Sequence, residues 1–219
     1  MAAKVTLKEI AREVGLSPSA VSLVLNDRPC RISEENRRRI KEVAARKRYV
    51  PNQIARSLVT QHSHTLGLIV PNIESRFFSS LARNLELRCR EHGYALFIMN
   101  SDATSEHEDE LVRLLVNRGV DGLFLVTAHE IDADEQLVES LNTLPVPLVM
   151  VDRFIDGVAC DRVRFDSELG GYLAASCLLD QGHRRIACLV NTSSNTGRAR
   201  LAGYRRALHE RGVAPDDAL

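Results

Sequence analysis

The sequence contains no tryptophan, few aromatic residues, no excess of charge of either sign and no long apolar run. Aromatic residues make up 5% of the chain, and 29 Lys and Arg balance 29 Asp and Glu. No segment reaches the roughly 18 apolar residues of a membrane-spanning helix, and the N-terminus lacks the apolar stretch of a secretory signal. We therefore expect a soluble, cytoplasmic protein without a membrane partner. The zero net charge, taken alone, would also predict no nucleic-acid partner.

Several kinds of chemical site are also missing from the sequence. The five cysteines are scattered and form no CxxC pair, which is typical of reduced thiols. Among the histidines only His62 and His64 are close together, and they follow a predicted linker, so we expect no metal site. The motifs GxGxxG, GxxxxGKS/T and GxSxG are absent, so we expect no cofactor and no enzyme activity. Gly170 and Gly171 lie within an apolar helical segment, which favours close packing over phosphate binding.

The run TLKEIAREVGLSPSAVSLVLN (6–26) predicts two short helices joined by a sharp turn. Thr6 and Glu9 have the spacing of a capping box, and Gly15 supplies the left-handed residue that ends a helix. Ser17 is a preferred N-cap, and Pro18 suits the first position of the next helix. Two helices joined in this way are typical of the helix-turn-helix motif, although an ordinary helical hairpin within a larger domain has the same pattern.

The second of these helices has two different faces. At about 100° per residue, one arc is apolar and predicted to be buried, comprising Ala20, Val21, Val24 and Leu25. The opposite arc is free to contact a partner and consists of Pro18, Ser19, Ser22, Leu23 and Asn26. In a helix-turn-helix protein this second helix lies in the DNA major groove. Serine hydroxyls can bind base edges or phosphates, and a leucine can contact a thymine methyl group.

A third helix is predicted over SEENRRRIKEVAARKRY (33–49), with Ile40, Val43 and Ala44 inward and a dense basic face outward. Residues 1–60 contain 13 Lys and Arg against 6 Asp and Glu, a net charge of +7, whereas the remaining residues contain 16 against 23. A basic module joined to an acidic body is typical of a DNA-binding protein with a separate sensing domain. The alternative is that the basic residues only solvate an exposed helix.

Beyond residue 60, short apolar runs alternate with amphipathic segments. Continuous apolar strands separated by helices predict a parallel sheet covered on both faces, which is an α/β body. The predicted strands are Leu66–Val70, Tyr94–Met99, Gly122–Val126 and Leu148–Val151, and the predicted helices are Phe77–His92, Ser105–Arg118 and Asp132–Asn142. The alternation starts again with a strand Arg162–Phe165, a helix Ser167–Gln181, a strand Ile186–Val190 and a helix from Thr196 to Arg211. We interpret this second series as a second sheet and a second lobe.

The runs VTLKEIAREVGLSPSAVSLVLN, RIS and YVPNQIARSL resemble the headpiece and hinge of the lactose-repressor/galactose-repressor (LacI/GalR) family of bacterial transcription regulators. The resemblance continues through TLGLIVPNI, RGVDGLFLV, PLVMVDR, RVRFDSELGGYLAASCLLDQGHRRIACL and RARLAGYRRAL. It implies a helix-turn-helix headpiece with a hinge helix at 52–58 (residues 1–60), followed by a periplasmic-binding-protein-like α/β body. The body would comprise a first lobe at 61–161 and an incomplete second lobe at 162–219. Because about 58 residues rarely complete an independent lobe, we expect the chain to be a partial version of such a regulator.

The resemblance also implies DNA-binding roles beyond the outward arc of the second helix. By this analogy the hinge helices of a dimer enter the minor groove, where Leu58 unstacks a base step and Ala55 permits close approach. The alternative for Leu58 is packing between domains. Many family members have arginine where this chain has Leu23, so the usual operator preference is not expected. The further residues assigned to DNA by resemblance are Thr6, Ser17, Arg31 and Asn52.

For a small-molecule effector, the resemblance points to the ends of strands and the beginnings of helices in the body. The implied effector-binding residues are Phe77, Phe78, Asp152, Thr196 and Arg200. Aromatic faces stack on sugar or base rings, while Asp152 and Arg200 can bind hydroxyl groups, in the region where α/β sheets bind ligands. The alternatives are that the two phenylalanines belong to the core and that Arg200 only pairs with an acidic neighbour.

These observations together predict a sequence-specific DNA-binding transcription regulator of the repressor type. We expect a homodimer on a pseudo-palindromic operator, controlled by a small effector such as a sugar or related metabolite. One alternative is a sugar-binding α/β protein whose basic headpiece is only an interaction module, without operator-specific DNA binding. A catalytic α/β domain is a third possibility.

Overall fold

The computed structural model describes residues 5–50, 57, 60–128, 133–192 and 194–215. The chain divides into two compact units, residues 1–59 and 60–219, which we call the headpiece and the body. Of the predicted hinge helix (52–58) the structure describes only residue 57. Asn52, Ala55 and Leu58 lie outside the described residues, so the role of this helix stays a prediction.

The headpiece contains three helices: α1 (Leu7–Val14), α2 (Pro18–Leu25) and α3 (Glu34–Arg46). The predicted capping box is present, because the Thr6 hydroxyl accepts from the Glu9 N–H and the Glu9 carboxylate accepts from the Thr6 N–H. Gly15 ends α1 with φ 72°, a left-handed conformation that favours glycine. Ser17 caps α2 by accepting from the N–H of Ala20 at 3.2 Å. Local sequence signals therefore determine both ends of the turn between the first two helices.

One apolar cluster holds the three helices together. Ile10 from α1, Val21 and Val24 from α2, and Ile40 from α3 are all fully buried. Complete burial of such an aliphatic side chain contributes about 1.5–3 kcal/mol, which allows so small a module to form its own core. Ala20 and Leu25, predicted to be buried with Val21 and Val24, are half-buried.

The body is built on a parallel five-stranded sheet in the order β2-β1-β3-β4-β5. Its strands are β1 (Thr65–Val70), β2 (Ala95–Asn100), β3 (Gly122–Leu125), β4 (Leu148–Val151) and β5 (Asp161–Val163). The helices are α4 (Arg76–Glu91), α5 (Ser105–Asn117), α6 (Glu135–Asn142), α7 (Ser167–Asp180) and α8 (Asn195–Glu210). Apolar clusters lie on both faces of the sheet, which confirms the α/β body with a parallel sheet.

The segment that follows β4 differs from the prediction. Residues 162–165 were expected to begin a second sheet, but Asp161–Val163 pairs in parallel with β4 as the edge strand of the first sheet. The predicted strand Ile186–Val190 has no strand structure. Alternating apolar and amphipathic segments predict the order of strands and helices along the chain. They do not indicate which strands form hydrogen bonds with each other.

Helices α7 and α8 pack against each other through glycines. A Cβ atom at Gly171 would overlap the carbonyl oxygen of Arg200, and one at Gly203 would overlap that of Glu168. The absence of side chains at these two positions lets the helix backbones approach each other closely. Around this contact lies an apolar cluster that includes Leu179 and Tyr204. The predicted packing role is therefore confirmed for Gly171.

The beginning of the body is fixed to the sheet by one carboxylate. Asp121, just before β3, accepts hydrogen bonds from the Ser63 N–H at 2.7 Å, the Ser63 hydroxyl at 3.0 Å and the His64 N–H at 2.9 Å. Burial raises the pKa of Asp121, but these donors outweigh it and keep the pKa below its ordinary value. The segment that enters β1 therefore has a defined anchor.

Within the described parts of the chain, none of the helices combines the length and the apolar character needed to cross a membrane.

Candidate nucleic-acid interface and effector cavity

The outward arc of α2 forms an accessible surface on the headpiece. Pro18 and Ser19 are exposed, Leu23 is 37% exposed, and Ser22 and Asn26 are half-buried. The opposite arc supplies Val21 and Val24 to the core. The helix therefore has one face that holds it in place and one that can enter a groove.

Some polar groups of this surface already have partners inside the headpiece. The Asn26 side-chain amide donates to the Ser22 carbonyl at 2.7 Å and lies 3.3 Å from the Ser22 hydroxyl. The Thr6 and Ser17 hydroxyls accept capping hydrogen bonds. A capping hydroxyl still has its own O–H to donate, so Thr6 and Ser17 can cap a helix and also bind a phosphate.

The basic face of α3 is largely paired within the headpiece. Glu13 of α1 binds Arg46 and Lys47, and its carbonyl accepts from Arg39. Arg38 lies 3.6 Å from Glu42. Lys41 binds Asp27 at 2.8 Å, and Arg37 is directed at the loop between α2 and α3. Most basic side chains of this helix therefore have a partner within the headpiece, whereas Arg28 and Arg31 are exposed on that loop.

In the body, a cavity of about 440 Å³ lies at the carboxyl edge of the sheet. Asp152 follows β4, and Arg164 and Phe165 follow β5, so all three reach this edge directly from the ends of neighbouring strands. The beginnings of α7 and α8 complete the lining with Asp166, Ser167, Glu168, Asn195, Thr196 and Ala199. Strand ends and helix N-termini are where α/β proteins commonly bind ligands.

A second cavity of about 320 Å³ adjoins the first and shares Asp152, Arg164 and Phe165 with it. Phe77, 42% exposed, lines this second cavity, and its ring centroid lies 6.1 Å from that of Phe165. Phe78 is only 8% exposed and packs in the core against the sheet. Phe78 is therefore a core residue. The two adjacent phenylalanines have different environments because successive residues of a helix point in different directions.

Asp152 occupies an unusual electrostatic and conformational position. Its φ is 64°, and its N–H donates to the Val163 carbonyl at 2.8 Å. Burial raises the pKa of the Asp152 carboxyl, while the positive charges of Arg153 and Arg200 act in the opposite direction. A partly desolvated carboxylate of this kind is a strong hydrogen-bond acceptor for a ligand hydroxyl.

The structure thus brings together four of the five predicted effector residues. Phe77, Asp152 and Thr196 line the two cavities, and Arg200 is close enough for its charge to act on Asp152. Phe78 does not join them.

Several residues that line the cavity were not predicted from the sequence, among them Phe154 and Phe165. The guanidinium groups of Arg162 and Arg164 lie 5.0 and 4.9 Å from the Phe154 ring centroid and hold it by cation–π contacts. Chain position could have identified Phe165, because it follows β5 closely, as Asp152 follows β4. Assigning residues 162–165 to a second sheet concealed that equivalence.

Comparison with known proteins gives two matching family models. Residues 63–218 match the model described as periplasmic binding proteins and sugar binding domain of LacI family. Residues 6–52 match bacterial regulatory proteins, lacI family.

Two curated relatives are transcription regulators. The chain is 34% identical over 210 residues to the ribose operon repressor of Escherichia coli strain K12, covering 95% of this chain and 62% of the repressor. It is 31% identical over 217 residues to the HTH-type transcriptional regulator DegA of Bacillus subtilis strain 168, covering 99% of this chain and 64% of DegA. The chain therefore spans less than two thirds of the length of these relatives.

Solved structures agree with this relationship. The lac repressor dimer bound to operator and the anti-inducer ONPF matches with a TM-score of 0.84 and 25% identity, covering 97% of this chain and 64% of that one. A complex of the transcriptional regulator CelR with cellobiose matches with a TM-score of 0.60 and 26% identity, covering 99% of this chain and 64% of that one. With a lacI-type headpiece and a periplasmic-binding-protein-like body matched over most of its length, this chain belongs to the LacI family of bacterial regulatory proteins.

Proposed function

We propose that this protein is a sequence-specific transcriptional repressor that binds operator DNA as a homodimer and responds to a small sugar-like effector. Each of the two activities has its own candidate surface, one on the headpiece and one on the body.

The observation that carries the DNA-binding proposal is the two-faced α2 helix. Its buried face fixes it against α1 and α3, while Ser19 and Leu23 on the other face are accessible. Small polar and apolar side chains at these positions suit base-edge and thymine-methyl contacts in the major groove. The exposed Arg28 and Arg31 on the following loop add positive charge beside that face. A two-fold dimer would present two such helices to the two halves of a pseudo-palindromic site.

The effector proposal rests on the cavity at Asp152. Its lining combines a partly desolvated carboxylate, the Arg164 guanidinium and aromatic rings with the hydroxyl of Thr196. This mixture of hydrogen-bonding groups and flat apolar faces suits a polyhydroxylated ring. The naming of one relative as a ribose operon repressor, and the cellobiose in the CelR complex, support a sugar as the effector class.

The effector would regulate operator binding by binding more tightly to one arrangement of the body than to another. The cavity is lined both by the carboxyl edge of the sheet and by the beginnings of α7 and α8. An effector that contacts both parts would favour one arrangement of them over others. The effector can regulate DNA binding only if the arrangement that it favours binds operator with a different affinity from the other arrangements.

The DNA-binding proposal is tested by selecting bound sequences from a random duplex pool with the protein and with two α2 variants. Ser19→Ala and Leu23→Ala should each change the selected base at specific positions, because their side chains contact base edges. A good base contact is worth about 1–3 kcal/mol of discrimination.

The matched control is Arg38→Gln, which changes an exposed α3 side chain outside the α2 face. Arg38→Gln should leave the selected sequence unchanged and weaken all duplexes to a similar, small extent. If the two α2 variants select the same sequence as the unmodified protein, α2 is not the reading element.

A further inference from the structure

The loop between α2 and α3, residues 27–32, carries two exposed arginines, Arg28 and Arg31. It leaves α2 sharply, because Asp27 adopts φ 49° and the Arg28 N–H donates to the Leu23 carbonyl at 2.9 Å. A short loop without regular secondary structure needs side-chain contacts to hold its backbone in one conformation.

Arg37, in the first turns of α3, supplies such contacts. One terminal guanidinium nitrogen donates to the Cys30 carbonyl at 2.9 Å and lies 3.3 Å from the Cys30 sulfur. The Nε donates to the Ile32 carbonyl at 3.3 Å. These two carbonyls belong to the residues on either side of Arg31, so a single guanidinium spans the backbone of that residue.

The environment of Arg37 distinguishes it from the other basic residues of α3. Its side chain is 24% exposed, whereas that of the adjacent Arg38 is 76% exposed. The loop has a second tether, the pair of Lys41 with Asp27, but both side chains are mostly exposed, and such surface pairs contribute about 0–1 kcal/mol. Arg37 is therefore the principal contact between α3 and the middle of the loop.

We propose that Arg37 is a positioning residue for DNA binding, which sets the backbone at Arg31 so that the Arg31 side chain meets the duplex in one fixed orientation. This inference rests on the proposed operator binding. It assigns to Arg37 a role opposite to that expected from its basic character, because its donors bind groups of the protein and not phosphate. These groups are the Cys30 and Ile32 carbonyls and, 3.5 Å from Nε, the exposed Glu34 carboxylate. The rigid fork of the guanidinium is essential, because a lysine ammonium cannot bridge the same two carbonyls with the same geometry.

The test is a double-mutant cycle on the selected duplex, using Arg37→Lys, which keeps the charge but removes the fork. In the unmodified background Arg37→Lys should weaken binding roughly tenfold, the size of one well-formed base or phosphate contact. In an Arg31→Ala background the same substitution should weaken binding less than about twofold, because the residue that it positions is already gone. Arg38→Lys is the matched control and should change affinity less than about twofold in both backgrounds.

A second measurement follows the loop without DNA. Amide hydrogen exchange of Arg31 and Ile32 should become faster in Arg37→Lys, while the amides in the middle of α2 and α3 keep their protection. This result would separate loss of loop order from unfolding of the headpiece.

Two results would overturn the proposal. Equal weakening by Arg37→Lys in both backgrounds would mean that Arg37 acts independently of Arg31, and unchanged exchange in the loop would mean that it does not order this backbone. Failure of the unmodified protein to bind any duplex would instead refute the proposed function, and the exchange measurement would still decide whether Arg37 orders the loop.

Discussion

At the scale of single residues, Asp152 shows how a candidate ligand-binding position carries a cost for folding. The carboxyl is partly buried, which raises its pKa, and the neighbouring Arg153 and Arg200 compensate only in part. A carboxyl whose pKa is higher in the folded state than in the unfolded chain destabilises the fold when it is ionised. That cost is fully present above the folded pKa and disappears as the pH falls to the ordinary aspartate pKa of 3.8. The presence of an ionisable group at such a site supports the proposed role in ligand binding.

We therefore expect Asp152→Asn to raise the free energy of unfolding at pH 7, with an advantage over the unmodified protein that shrinks as the pH approaches 4. Asparagine is also tolerated at the positive φ of this residue. The same variant should lose effector affinity, because it cannot offer a charged acceptor to a hydroxyl.

Urea unfolding at several pH values and calorimetric titration with candidate sugars measure the two effects. The control is Asp156→Asn, which should change neither quantity because the Asp156 side chain is 90% exposed. A loss of stability at pH 7 that persists at acid pH would contradict the assigned cost of ionisation at Asp152.

At the scale of elements, the close contact of α7 with α8 depends on individual glycines. Gly170 and Gly171 are adjacent in α7, but a Cβ atom at Gly170 meets open space, whereas one at Gly171 meets the Arg200 backbone. The two positions therefore separate the intrinsic helix propensity of glycine from its packing role.

Gly171→Ala should lower the free energy of unfolding of the body by about 1–3 kcal/mol, because the helices must move apart. Gly170→Ala should raise it by about 0.5–1 kcal/mol, because alanine favours the helix. Urea denaturation of the two variants measures both changes. Similar effects of the two substitutions would show that the α7–α8 contact does not depend on close approach at Gly171.

Elements specified by local chemistry were predictable from the sequence. The capping box at Thr6, the left-handed Gly15 and the Ser17 cap determine α1 and α2, and β4 has the predicted bounds. Pairing between distant segments was not predictable. Periodicity could not assign residues 161–163 to the first sheet, and residue type could not show that Arg37 is directed at backbone carbonyls.

For the effector residues the same distinction holds. Phe77, Asp152 and Thr196, which the resemblance implies for the effector, line the cavities, whereas Phe78 packs in the core. Their role in effector binding stays a prediction. The choice between these adjacent phenylalanines depends on the rotation of α4 against the sheet, which is a tertiary property.

At the scale of the whole molecule, the distribution of charge matters more than its sum. The net charge of zero divides into a basic headpiece and an acidic remainder. Much of the positive charge on α3 is paired with acidic groups such as Glu13 and Asp27, whereas the two loop arginines are exposed. Residues 1–60 contain 13 Lys and Arg. We expect binding to neutralise fewer than 13 phosphates per chain, because several of these side chains are paired with acidic groups.

The most direct test of this account is the salt dependence of binding to the selected duplex and to a scrambled duplex of the same length. We expect tight binding to the selected duplex, and an affinity that falls steeply with salt, with a log–log slope of about −0.9 for each phosphate neutralised. The scrambled duplex should bind more weakly by a factor of at least about 10³. Equal affinity for the two duplexes, or no binding to either at low salt, would contradict the assignment of this protein as an operator-binding repressor.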